Sequence, residues 1–72
     1  MAAVALDAAK AGEVEMVGDS LHQIQDFTKR NQTAHESARL LAKRGLRKQA
    51  LDIAKSIEDM TTRDQALSEL AQ

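Results

Sequence analysis

The sequence predicts an all-α protein, a stack of antiparallel helical hairpins. It reads as an α-solenoid fragment of about five helices and two and a half repeats in a single domain spanning 1–72. Three observations predict this. The first is that the chain aligns with itself at a shift of 33 residues. Ala9, Lys10 and Gly12 fall on Ala42, Lys43 and Gly45. The same register places Asp19 on Asp52, Ile24 on Ile57, Asp26 on Asp59, Thr28 on Thr61, Arg30 on Arg63, Gln32 on Gln65, Glu36 on Glu69 and Ala38 on Ala71. A period of this length marks small units that cannot each bury a hydrophobic face alone. The second observation is the absence of proline, with only three glycines, so little opposes helix. The third is apolar spacing at i, i+3, i+4 and i+7, clearest at Ala50, Ile53, Ala54 and Ile57.

The elements follow in order as helices over about 2–11, 14–25, 31–44, 47–58 and 62–72. The first repeat covers about 1–30, the second about 31–63, and the last helix is a cap or a truncated unit. Gly12 and Gly45 each close an alanine-rich segment with a lysine near its end, as a helix C-terminus prefers. The second helix of the first unit carries Val17, Leu21 and Ile24, with Ser20 where the later unit has Ile53. Gly18 lies inside it and costs about 1 kcal/mol relative to alanine, so the first repeat is expected to be the softer one. Breaks are expected at Asp26-Phe27-Thr28 and Asp59-Met60-Thr61. Thr61 with Asp64 reads as the cap of the last helix, and Phe27 and Met60 read as staples just ahead of the caps. Ala34, Ala38 and Leu41 form the buried stripe of the third helix, with Leu67 and Ala71 in the first two of these places in the fifth. Short connections imply antiparallel neighbours, and isolated helices of about 12 residues are marginal, so stacking has to supply the stability.

At 72 residues the chain is near the size where one core is marginal. Its one aromatic residue, Phe27, and its many alanines imply close helix packing. It has no cysteine, which removes disulfides and thiolate chemistry and fits a reducing, cytoplasmic setting. No apolar run approaches the roughly 20 residues of a membrane span. Residues 1–9 lack a basic start and carry Asp7, so no signal peptide is expected. The net charge is −1, but residues 1–28 carry −4, residues 29–58 carry +5 and residues 59–72 carry −2. A basic middle between acidic ends suits an acidic partner or head-to-tail contact, and equally describes solvated helix faces.

Catalysis has poor material here, and no enzyme activity, cofactor or metal is expected. His22 and His35 are thirteen residues apart and do not make the i, i+4 pair that puts two ligands on one helix face. Ser20, Ser37, Ser56 and Ser68 lie mid-helix without a glycine-framed turn, and no phosphate-binding glycine loop exists. Asn31-Gln32-Thr33 matches a glycosylation acceptor by composition only. The recurrent pairs Asp19/Asp52, Arg30/Arg63 and Glu36/Glu69 are expected to make the same inter-helix bridge or capping bond in each unit, with the lining of a repeated ligand surface as the alternative.

Within Asn31 to Arg63, small Ala38 is followed by bulky Leu41, then by Gly45 in the turn, with Ala50 five residues later and Ala54 and Ile57 beyond. Residues 4–36 repeat the scheme with Ala5, Ala8, Gly12, Val17, Leu21 and Ile24. This pattern resembles a divergent tetratricopeptide repeat, and hairpin arrays of the HEAT or Sel1-like kind give a similar one. The unit departs from the family in having Ala34 where an early aromatic is expected, no closing proline, and one residue fewer. Ankyrin shares the period but not its Thr-Pro-Leu-His signature.

The tetratricopeptide resemblance implies a protein-interaction module whose first helices line a concave groove. It places Leu6, Lys10, His35, Arg39, Lys43, Ser68 and Gln72 outward on those helices. Lys10, Arg39 and Lys43 would then clamp an acidic or carboxylate-bearing peptide. The turn Lys43, Arg44, Gly45, Leu46, Arg47, Lys48 adds a second basic feature. The candidate partner-binding residues are therefore Lys10, His35, Arg39, Lys43, Arg47 and Lys48. A structural segment that self-associates through its end helices is the alternative. Nucleic-acid binding through the turn is disfavoured by the lack of aromatics for stacking and by the near-neutral charge.

Overall fold

The computed structural model describes residues 2–71. Its elements are five α-helices: α1 (Ala2–Ala11), α2 (Val14–Gln23), α3 (Phe27–Lys43), α4 (Arg47–Lys55) and α5 (Met60–Leu70). The fold is all-α, and none of the described helices is long and apolar enough to cross a membrane. α1, α3 and α5 lie side by side in that order, with α2 and α4 packed behind them. The Cα atoms span 30 × 27 × 14 Å, and that smallest dimension is the depth of two helix layers about 10 Å apart.

Both hairpin turns are built alike. The glycines have positive φ, +77° at Gly12 and +85° at Gly45. In the first turn the Gly12 N–H donates to Ala9 O and the Glu13 N–H to Ala8 O. In the second, the Gly45 N–H donates to Ala42 O and the Leu46 N–H to Leu41 O. This is the Schellman arrangement, in which a left-handed residue lets the chain turn back onto the last open carbonyls. The recurrence of Gly12 and Gly45 is thus a recurrence of one turn.

The third and fifth helices begin earlier than the sequence suggests. α3 starts at Phe27 because Asp26 caps it, its Oδ1 accepting the Lys29 N–H at 3.1 Å. α5 starts at Met60 because Asp59 caps it, its Oδ2 accepting the Thr62 N–H at 2.9 Å and also the Thr62 hydroxyl. Thr61 is therefore inside the first turn rather than the cap, since the recurring aspartate is the better acceptor. Phe27 and Met60 become first-turn residues, 47% and 65% exposed, and so lie after the caps and not at the staple position ahead of them. At the other end, α2 stops at Gln23 and α4 at Lys55, with Ile24 and Ile57 still buried beyond them.

The core is built mainly from small side chains. Among the described residues, eight of the fifteen buried apolar residues are alanines, which lets helix axes approach toward about 8 Å. Val17, Leu21, Ile24, Leu41, Ile53, Ile57 and Leu70 fill the space between them. The stripes expected on α2, α3 and α4 are buried, with Ser20 4% exposed in the place of Ile53. α5 is rotated from expectation: it buries Ala66 and Leu70, while Leu67 is half-buried and Ala71 exposed. The reason is environment. α3 packs against α1, α2, α4 and α5, and so buries a broad arc that includes Asn31, Thr33, Ala34, Ser37, Ala38 and Leu41. α5 packs against α3 and α4, and Ala66 and Leu70 match Thr33 and Ser37 on only one side of that arc. The Ser37 hydroxyl is fully buried with no hydrogen-bond partner.

Two glycines separate backbone need from tolerance. A Cβ added at Gly18 meets nothing within 4 Å and φ there is negative. Gly18→Ala should therefore stabilise the fold by about 1 kcal/mol and raise Tm by roughly 5 °C. Gly45→Ala also has room, but its positive φ should make it cost about 1 kcal/mol or more. Thermal melts followed by circular dichroism check both signs.

The Asp59 cap adds a pH dependence. The Thr62 hydroxyl and then the Thr62 N–H hold the Asp59 carboxyl below its ordinary value of 3.8. The unfolded chain lacks those bonds and binds the proton more tightly, so this contribution is full above the ordinary value and disappears as pH falls through the lower, folded one. Urea midpoints measured on descending pH should fall across that acid range. Asp59→Asn should flatten that part of the profile.

Candidate functional site

The third helix carries His35, Arg39 and Lys43 at i, i+4 and i+8, one stripe along one side. The turn after it, reversed by Gly45, brings Arg47 at the start of α4 back toward the end of that stripe. α5 closes the other wall. The result is a cleft of about 310 Å³ lined by Arg39, Ala42, Lys43, Arg47, Glu69 and Leu70. Between residues 39 and 48 the chain has five bases and no acid, so the cleft is cationic except where α5 contributes Glu69.

Glu69 organises one end. Its Oε1 lies 3.2 Å from His35 Nε2 and 3.5 Å from Arg39 Nε. Arg39 also approaches Glu36 at 3.8 Å, one helical turn away. All of these side chains are part-exposed, and in water such pairs contribute roughly 0–1 kcal/mol each. Glu69 therefore orients Arg39 and His35 without neutralising the cleft, because Lys43 and Arg47 stand beside them.

The other bases have structural work. Arg44 Nη1 donates to Lys10 O at 3.0 Å, tying the end of α3 to the last turn of α1. Arg47 donates to Leu70 O at the end of α5. Both are cations on helix C-terminal carbonyls, where the unsatisfied C=O groups and the helix dipole favour positive charge. Two of the four bases in the 43–48 turn are thus engaged within the fold, which leaves that turn a weaker phosphate-binding feature than its sequence suggests.

Of the six residues singled out from the sequence, Arg39, Lys43 and Arg47 line the cleft and His35 borders it through Glu69. Lys10 and Lys48 are exposed outside the cleft lining. Among the other outward positions, Leu6 is half-buried, Ser68 is exposed and Gln72 lies outside the described residues. Sequence reasoning missed Glu69 as a wall of the cleft, although it is one repeat length and one residue beyond His35.

The recurrent polar pairs do not make recurrent bridges. Arg30 pairs with Glu58, whereas Arg63 reaches only its neighbour Asp64, at 3.8 Å. Glu69 meets His35 and Arg39, but the residues one repeat before those two are Ala2 and Leu6, so Glu36 turns to Arg39 instead. Asp19 and Asp52 are exposed. A repeated residue keeps its bond only if its partner repeats too.

A second concavity of about 240 Å³ lies between α2 and α4. Leu21, Ala34 and Ile53 are among its apolar residues, and Gly18 lines it. Its rim mixes His22 and Arg30 with Asp52 and Glu58, and Arg30 is already paired with Glu58. It lacks a coherent charge, so the cationic cleft is the stronger candidate. No protein family model, curated protein sequence or solved structure matches this chain.

Proposed function

We propose that the protein is an interaction module, not an enzyme, that binds an acidic peptide segment in the cleft between α3 and α5. The observation that carries this reading is the convergence of Arg39, Lys43 and Arg47 on one concavity with a single carboxylate, Glu69, at its wall. Arginine and lysine side chains at a cleft of this kind grip carboxylates through charge-assisted hydrogen bonds. Glu69 then acts as an internal stand-in: it holds Arg39 and His35 where an incoming carboxylate would be met. The tetratricopeptide-like pattern in the sequence supports the same face, since first helices line the groove in that family. Engagement of Arg44 on the end of α1, outside the cleft lining, favours this reading over nucleic-acid binding through the 43–48 turn.

Fluorescence polarisation with a labelled peptide of alternating glutamate and alanine, bearing a free C-terminal carboxylate, tests this. Binding should saturate and weaken with added salt, because the contacts are exposed. Arg39→Glu should weaken it by about tenfold. Glu69→Gln should tighten it by a few-fold, roughly, by removing the competing carboxylate. Polarisation that never saturates, or that ignores both substitutions, rules the reading out.

A further inference from the structure

The concavity between α2 and α4 is the place of a missing side chain. In the repeat register Gly18 stands where the second unit has Leu51, a half-buried residue packed against the core. α2 packs on α1 and α3, and α4 packs on α3 and α5. Between the two back helices Gly18 lines an open space with Leu21, Ala34 and Ile53, and a Cβ added at Gly18 meets nothing within 4 Å. The space is about 240 Å³. An apolar cavity of about 150 Å³ accepts benzene, whereas drug-sized ligands occupy about 300–1,000 Å³. A volume between these suits one substituted ring. One polar group is also left open in the wall. Asn31, 3% exposed, lines the concavity. Its side-chain oxygen accepts the Glu58 N–H at 3.3 Å, while its amide nitrogen donates to no group among the described residues. A buried amide N–H without an acceptor is unfavourable, so the site gains from an acceptor brought to it.

We propose that this concavity binds a small neutral molecule, a single ring carrying a carbonyl-type acceptor. The ring lies against Leu21, Ala34 and Ile53, in the space a leucine at position 18 would fill. The acceptor takes the N–H of the Asn31 amide, whose oxygen stays on Glu58. Arg30 and Glu58, already paired with each other, stand at the same rim and present both signs at once. A ligand of either charge therefore meets its own sign there, and a neutral one does not. Bound in this place, the ligand bridges α2 to α4 and joins the softer first hairpin to the second. The site is separate from the cationic cleft and does not depend on the function proposed for it.

The probe is acetophenone, which has one ring, one carbonyl and no charge. Titrated into the isotope-labelled full chain and followed by heteronuclear NMR, it should shift the amides of Leu21, Ala34 and Ile53 saturably, with a Kd of about 1 mM or tighter. The side-chain amide signals of Asn31 should move with the same midpoint. Gly18→Leu should fill the space, keep the helical circular dichroism signal without a fall in Tm, and weaken binding by about tenfold or more. Arg39→Glu, in the cleft, should leave the shifts unchanged. Four results overturn the proposal. They are shifts that never saturate, Asn31 side-chain signals that stay still at saturation, and a folded Gly18→Leu that binds as well as the parent. The fourth is an oligomer of the chain alone in light scattering that Gly18→Leu dissociates, which makes a second copy the occupant.

Discussion

Everything in this fold leans on α3. It is the one helix that packs against all four others, and it does so with Ala34 and Ala38 at the points of contact and only Leu41 as a large, fully buried apolar side chain. Small residues let neighbouring helices come close enough for dispersion and burial to replace the bulk that a chain with a single aromatic lacks. A domain of this size has little margin. The first hairpin, softened by Gly18 and Ser20, and the last helix, buried along one side only, both draw their stability from contact with that centre. The fully buried, unpartnered Ser37 hydroxyl on the same helix is the one visible concession there.

The same centrality produces the surface chemistry. The side of α3 that does not face the core carries His35, Arg39 and Lys43, and the Schellman turn at Gly45 folds Arg47 toward them. Arg44 and Arg47 bind carbonyls at the ends of α1 and α5, which fixes both outer helices to the turn that follows α3. The basic stretch is therefore part fastening and part cleft. Glu69, supplied by α5, belongs to both: it ties α5 to α3 and presents a carboxylate to the cations of the cleft.

Helix type, hairpin turns and the stripes of α2, α3 and α4 were legible in the sequence because each rests on local periodicity or on a glycine that the turn requires. The start of α3 was not. Asp26 and Asp59 recur as clearly as Gly12 and Gly45, but a threonine and an aspartate compete for the cap, and only geometry decides that the aspartate accepts the third N–H on. The rotation of α5 was illegible for another reason: Leu67 and Ala71 carry the repeat's pattern, but burial depends on which helices surround them. The ion pairs failed to repeat because charge pairing is non-local. For the cleft, the outward place of the cations on the third helix was what the tetratricopeptide resemblance implied, whereas its acidic wall comes from a residue thirty positions from Arg39.

Native-state hydrogen exchange tests the primacy of α3 most directly, because it ranks segments by the free energy of the opening that exposes them. The slowest amides should be those of the buried arc of α3, at Ala34, Ala38 and Leu41, exchanging only on global unfolding. Those of α2 around Gly18 and of the outer side of α5 should open at lower cost. An α3 whose amides exchange as fast as those of α5, or a slowest set confined to α1 and α2, would contradict a fold organised around the third helix.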